Sequence, residues 1–270
     1  MRRSFFAILL GWSGVLAAQR PAPEPFAFGF TETIHSTTLG EDRVLNIALP
    51  QGYHPDSAAR YPVIYLLDGG ADEDFIHVTG ALQFAAFEWI AWQPPSIVVG
   101  LANVDRKRDL TFPTTIAADK EKFPTTGGSA AFTRFIADEV MPYVEANYRT
   151  DGERMLIGQS LGGLYAAEVL IKRPELFNRY LIVSPSIWWD DGSLLKQPAT
   201  FITDPAKAPK AVYIAVGKEG KRMEGDAKRL YALVKKNPKV RSGFGFLPRH
   251  DHANILHQAV LDGFRWLAGK

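Results

Sequence analysis

Three residues, a serine, a carboxylate and a histidine met in that order along the chain, are of the types and in the places to do covalent chemistry. Ser160 stands in Gly158-Gln159-Ser160-Leu161-Gly162, preceded by the apolar run Met155-Leu156-Ile157 and followed by the helix formers Ala166, Ala167, Glu168 and Leu170. Strand, sharp turn and helix therefore meet at a serine. A residue at the tip of so tight a turn takes a strained backbone conformation, and side chains two residues to either side would collide with the neighbouring strand and helix. Glycine at both flanks removes those collisions, and Gly163 permits close helix packing. The serine Oγ then stands beside the first amides of a helix, where the positive end of the dipole faces an anion. That is the place of a nucleophile; the bland alternative is an ordinary strand-to-helix turn with a capping serine.

A serine hydroxyl attacks only when a base takes its proton, and histidine titrates near neutral pH. His35, His54 and His77 precede the turn, whereas His250, His252 and His257 follow it. His252 falls between the last strand pattern and the last helix pattern and is the expected base. His250 is its local competitor, and His257 reads as a helix-surface or packing residue. A metal pair of His250 and His252 with Asp251 lacks an evident third ligand set, so no metal is expected. The base in turn needs an orienting carboxylate. Glu219, three residues beyond the strand pattern Ala211–Val216, leads; Glu224 and Asp226 stand behind it and otherwise read as a solvated helical face. The order Ser160, Glu219, His252 is that of the α/β-hydrolase arrangement. An oxyanion hole needs two amides. Leu161 N–H supplies one, and Gly69 or Gly70, after the apolar run Tyr61–Leu67, supplies the other.

The elements that must position these residues follow from the pattern. Phe26–Thr37 and Arg43–Leu49 alternate as two antiparallel strands, joined through Leu39-Gly40-Glu41-Asp42. Tyr61–Leu67, Ser96–Leu101, Arg154–Ile157, Tyr180–Val183, Ala211–Val216 and Ser242–Leu247 are strand-like. Between them, Phe75–Trp89, Ser129–Asn147 with Pro142 as an anomaly, Leu164–Lys172, Met223–Lys236 and Ala253–Ala268 have helical spacing, while Asn103–Gly128 is a long polar loop. Alternation of strands and helices implies an α/β fold, a mostly parallel sheet covered on both faces, with ligands at the carboxyl ends of its strands.

At 270 residues and 46 % hydrophobic content the chain suits one large domain. Met1-Arg2-Arg3, the apolar Phe5–Leu10 with Val15-Leu16, and Ala17-Ala18 read as a secretory leader over residues 1–18, with an uncleaved anchor as the alternative. A Pro-rich spacer occupies 19–25 and the domain 26–270. The protein is thus expected to be exported, periplasmic or secreted, with no stable membrane insertion once the leader is cleaved. With 31 Lys+Arg against 29 Asp+Glu, loss of Arg2 and Arg3 leaves 29 of each. A neutral chain without a basic stripe is not expected to bind nucleic acid or an anionic membrane. With no cysteine, no disulfide holds it.

Taken together, Tyr65-Leu66-Leu67-Asp68-Gly69, Val99-Gly100 with Arg108-Asp109-Leu110-Thr111, the turn around Ser160, Ser184-Pro185-Ser186 with Trp188-Trp189, Gly217 with Glu219, and Asp251-His252 resemble the putative-esterase family of α/β hydrolases. That family includes esterase D-like enzymes, enterobactin and salmochelin esterases, feruloyl esterases and mycolyltransferases. The resemblance implies Ser160 as nucleophile, His252 as base, Glu219 as acid, and the Asp68-Gly69-Gly70 turn with Leu161 as oxyanion hole. His250 departs from the glutamate that family members often carry there, and some siderophore esterases work with a Ser-His dyad, which puts Glu219 to the test. Arg106, Lys107 and Arg108 lie in the loop that grips substrate in the family; Arg108 is the candidate, with pairing to Asp109 as its alternative. Trp188 and Trp189 either line the acyl or alcohol site or cover the core. The expected activity is hydrolysis of a small-molecule carboxylic ester, of which a catecholate trilactone is one candidate, through an acyl-enzyme and without a cofactor. An acyltransferase is the second expectation; a non-catalytic binding protein, the third, should have lost Ser160 or His252, and both are present.

Overall fold

The computed structural model describes Glu24 and residues 26–270. The expected leader at 1–18 and, Glu24 apart, the spacer at 19–25 lie outside the described residues.

Eight strands, β1 (Phe30–Ser36), β2 (Glu41–Ala48), β3 (Tyr61–Leu67), β4 (Ile97–Leu101), β5 (Thr150–Gln159), β6 (Arg179–Val183), β7 (Ala211–Gly217) and β8 (Arg241–Leu247), form one sheet among the described residues. Their order is β1-β2-β4-β3-β5-β6-β7-β8. β2 pairs antiparallel with β1 and β4, and the other neighbours run parallel. The helices are α1 (Phe75–Ala85), α2 (Arg106–Asp109), α3 (Ala117–Lys122), α4 (Ser129–Arg134), α5 (Met141–Asn147), α6 (Leu161–Lys172), α7 (Thr200–Thr203), α8 (Gly220–Val234) and α9 (Leu256–Leu267).

Continuous apolar strands arise because both faces of the sheet are covered. Tyr65 of β3 pairs with Leu156 of β5 and both face a core filled from α4, α5, α6 and α8 by residues such as Phe132, Val144, Leu164 and Leu230. Their neighbours Leu66 and Ile157 face the opposite core, closed by Phe75 and Leu82 of α1 and Val260 and Phe264 of α9. Each such side chain contributes about 1.5–3 kcal/mol when fully buried. Helix α6 is buried from Leu161 to Ile171, as a helix apolar on all sides must be.

The helical pattern at 129–147 resolves into α4, a π-helical turn at Phe135–Val140, and α5. Pro142 falls in the first turn of α5, where its missing N–H costs least. The polar loop 103–128 carries α2 and α3 and is tied down by the segment after β6. Asp190 Oδ1 accepts from Thr115 N–H at 2.6 Å and from the Thr114 and Thr115 hydroxyls at 3.0 and 2.9 Å.

The chain leaves β3 for β4 on one side and returns past it to β5 on the other. The strand order therefore reverses between β3 and β5, the kind of switch point at which a parallel sheet offers a binding crevice past its carboxyl ends. Ser160 follows β5, and Asp68-Gly69-Gly70 follows β3.

Candidate active site

Ser160 sits between β5 and α6 with φ 59° and ψ −118°, a conformation serine adopts at a cost of about 1–3 kcal/mol. Backbone bonds from both sides hold it there. Its N–H donates to Val183 O at 3.1 Å, and its carbonyl accepts from Leu164 N–H at 2.9 Å and Ser186 N–H at 3.0 Å. A Cβ on Gly158 would meet Gly162 O at 2.5 Å, which is why the turn closes only with glycine there.

His252 Nε2 lies 2.9 Å from Ser160 Oγ, and His252 Nδ1 lies 2.5 Å from Glu219 Oε2. Glu219 Oε1 accepts from Gly217 N–H at 2.9 Å and from the Ser184 hydroxyl. The Glu219 side chain is 2 % exposed, while His252 is 45 % exposed and open to the crevice. Burial pushes the Glu219 carboxyl up, but the hydrogen bonds from His252, Ser184 and Gly217 prevail and hold it below its ordinary value. Close backbone approach makes the meeting possible, since a Cβ on Gly217 would stand 2.5 Å from His250 O. The Gln159 amide donates to His252 O at 2.6 Å and fixes the histidine loop to the end of β5.

The competitors for these places are elsewhere. His250 Nδ1 stands 3.2 Å from Asn254 Oδ1, and His257 packs its ring against His77 at 4.4 Å. Glu224 accepts from Gly220 N–H in the first turn of α8. Asp226, which the pattern allowed as a solvated residue, is buried and paired with Arg222 and Arg229.

The oxyanion side departs from expectation at one glycine. Leu161 heads α6, so its N–H has no carbonyl one turn earlier to bond. Gly69 N–H, however, donates to Leu101 O at 3.0 Å, extending the ladder between β3 and β4, and is not free for a ligand. Gly70 N–H is held by the Glu73 carboxylate at 2.7 Å. Beside it, Asp68 is gripped by Arg106 at 2.6 and 2.8 Å and by Asn103 at 2.7 Å.

Two expected substrate contacts are corrected. Arg108 donates to Glu41 at 3.0 and 2.5 Å and to Asp109 at 2.7 Å, and Asp109 in turn takes the buried Arg43 at 2.6 Å. Its charge is spent on tying the loop to β2, as that of Arg106 is on Asp68. Trp189 is fully buried, with its indole N–H donating to Phe112 O at 2.8 Å, because an indole in a core must find an acceptor. Trp188 alone of the pair is part-exposed, with its ring 6.4 Å from that of Phe123. Gln159, Ser184 and Asn103 end or follow strands and are marked in the sequence only by that position or within a motif, without a role, whereas Glu73, in the turn before α1, carries no signal.

A groove of about 600 Å³, lined by Trp92, Gln93, Pro94, Arg179 and Leu267, lies at the amino ends of β4 and β6, away from Ser160. It holds neither nucleophile nor base, so the candidate site is where Ser160, His252 and Glu219 meet, at the carboxyl ends of the strands. Among the described residues no group of three or more His, Asp or Glu side chains converges to hold a metal, and no helix is long and apolar enough to cross a membrane.

Such a sheet, with a strained serine between strand and helix in reach of a carboxylate-backed histidine, defines an α/β hydrolase of the serine type. The family model described as "Putative esterase" matches residues 36–246, and the chain belongs to that family. It is a carboxylic ester hydrolase. Ferri-bacillibactin esterase BesA of Bacillus subtilis is 30 % identical over 268 residues, covering 89 % of this chain and 90 % of its own. An IroE-like serine hydrolase from Shewanella oneidensis superposes with TM-score 0.77 at 29 % identity, covering 89 % of this chain and 80 % of that one. The BES protein from Bacillus cereus gives TM-score 0.80 at 27 % identity over 93 % and 98 %.

Proposed function

We propose that the protein is an exported serine esterase that opens siderophore-type esters through an acyl-enzyme on Ser160. The observation that carries this is the continuous line from Ser160 Oγ to His252 Nε2 at 2.9 Å and from His252 Nδ1 to Glu219 Oε2 at 2.5 Å. His252 takes the hydroxyl proton as Oγ attacks the ester carbonyl, and the ionised Glu219 steadies the imidazolium that forms. Collapse of the tetrahedral adduct expels the alcohol, which leaves with the proton from His252. Water then repeats the sequence on the acyl-enzyme, giving up its proton to His252 and releasing the acid and free Ser160.

Leu161 N–H and Gly70 N–H are the amides assigned to the developing oxyanion, each worth a few kcal/mol in the transition state. Gly70 serves once Glu73 gives way. Trp188, part-exposed in the segment after β6, is assigned to the substrate. The siderophore class rests on further relatives named as a siderophore triacetylfusarinine C esterase and a siderophore enterobactin esterase, and export rests on the basic, apolar and small-residue succession of residues 1–18.

The test is hydrolysis of p-nitrophenyl esters and of a cyclic catecholate trilactone by wild type and Ser160→Ala. Loss of turnover in Ser160→Ala and a trilactone preference in wild type are expected; turnover that survives the substitution sinks the assignment. Transfer of the acyl group to an added alcohol in preference to water would instead make the protein an acyltransferase. N-terminal sequencing of protein recovered outside the cytoplasm checks the leader.

A further inference from the structure

We propose that Ser184 is a positioning residue of this site, fixing the plane of Glu219 so that one carboxylate oxygen is kept for His252. The role rests on the esterase function proposed above. Ser184 is fully buried directly past β6, with φ 44°, a left-handed conformation that serine rarely takes. By alternation, a residue continuing β6 would follow Tyr180 and Ile182 into the core beneath α6. Ser184 does not. Its N–H is held by Ala215 O at 2.8 Å, and its Oγ donates to Glu219 Oε1.

The last torsion of a glutamate is broad and roughly two-fold, so burial alone does not set which oxygen faces the histidine. Here two donors from two strand ends meet on one oxygen. Gly217 N–H, at the end of β7, reaches Glu219 Oε1 at 2.9 Å, and the Ser184 hydroxyl, past the end of β6, reaches the same atom. Oε2 is left for His252 Nδ1 at 2.5 Å. Gly217 donates through its backbone N–H, a group that every residue but proline carries. Ser184 supplies a hydroxyl from a strained position, and that expense is understandable if the hydroxyl is needed where it is.

Ser184→Ala and Ser184→Gly are compared with wild type in hydrolysis of p-nitrophenyl butyrate, with Ser160→Ala as blank. Glycine takes φ 44° without the strain that alanine bears, so an effect common to both belongs to the lost hydroxyl. In both, kcat is expected to fall about tenfold with KM within about twofold and the melting temperature nearly unchanged. Placed in a Glu219→Ala background, either substitution should change kcat no further, because its effect passes through Glu219. Unchanged kcat in both single variants, or an equal loss in the Glu219→Ala background, overturns the role. Wild type that fails to outpace Ser160→Ala would bring down the esterase function itself. The low-field proton signal of His252 Nδ1–H, which needs no substrate, then decides on Ser184: its loss in Ser184→Ala supports the role, and its persistence overturns it.

Discussion

Two carboxylates at the same end of the sheet, Glu219 and Asp74, are pushed in opposite directions. Past β7, Glu219 is raised by burial but lowered more by His252, Ser184 and Gly217, and it ends below its ordinary value. Past β3, Asp74 is pushed up to about 6, first by burial, then by the charge of Asp68, with Glu73 adding to it against His77 and Arg106. Asp74 precedes α1 without a side-chain bond to that helix's amides. Depth is therefore a poor guide to charge. The donors aimed at a carboxylate decide whether it stays ionised. The β7 end is built to hold one anion next to one histidine, whereas the β3 end crowds Asp68, Glu73 and Asp74 around Arg106.

Removing the anion from the donor-rich side should have the largest consequence. Glu219→Gln is expected to lower kcat at least about a hundredfold, because a neutral amide no longer steadies the His252 imidazolium. Retention of most activity on p-nitrophenyl esters would show that His252 works as half of a dyad. On the crowded side the sign should reverse. Glu73→Gln leaves an acceptor for Gly70 N–H but takes a negative charge away from the expected oxyanion, and kcat should rise about threefold. A fall would mean that Gly70 is not an oxyanion donor.

Stability should separate the two sides as well. The Asp74 pKa is about 6 in the folded protein and near 3.8 otherwise, so its ionisation weighs against folding, increasingly from pH 3.8 upward and fully above pH 6. Asp74→Asn should accordingly raise the melting temperature by about 2–4 °C at pH 8 and leave it unchanged at pH 3.5. A gain of equal size at both pH values would contradict the shift. Glu219, with its pKa lowered, contributes stability that is complete above about pH 4.5 and is lost as pH falls through its lower native value. Urea unfolding of Glu219→Gln should therefore vary less between pH 5 and pH 3 than that of wild type, the smallest of the four effects.

The site was legible on one side and only partly on the other. Ser160, Glu219 and His252 could be read because each falls just past a strand whose apolar run is visible, and strand ends in a parallel sheet share one edge. The sequence leaves Arg108 open between substrate and Asp109, and the structure gives it Asp109 together with Glu41. Its partner Glu41 lies 67 positions away, and nothing local distinguishes a guanidinium bound to a distant strand from one facing a ligand. Trp189 next to Trp188 posed the same difficulty, since the acceptor that permits its burial, Phe112 O, comes from another loop. Gly69 and Gly70 are identical in sequence terms, and only the ladder to β4 separates them.

By itself the sequence determined the order of strands and helices, the glycine-flanked turn at Ser160 and the succession Ser160, Glu219, His252. These depend on periodicity and on steric clashes between chain neighbours, both of which act within a few residues. Tertiary structure decided which oxygen of Glu219 faces His252, that Ser184 holds the other, and that Trp189 is buried while Trp188 is part-exposed. Hydrogen bonding and burial are settled at separations of about 3 Å between segments remote in the chain, and those separations exist only once the sheet has brought the segments together.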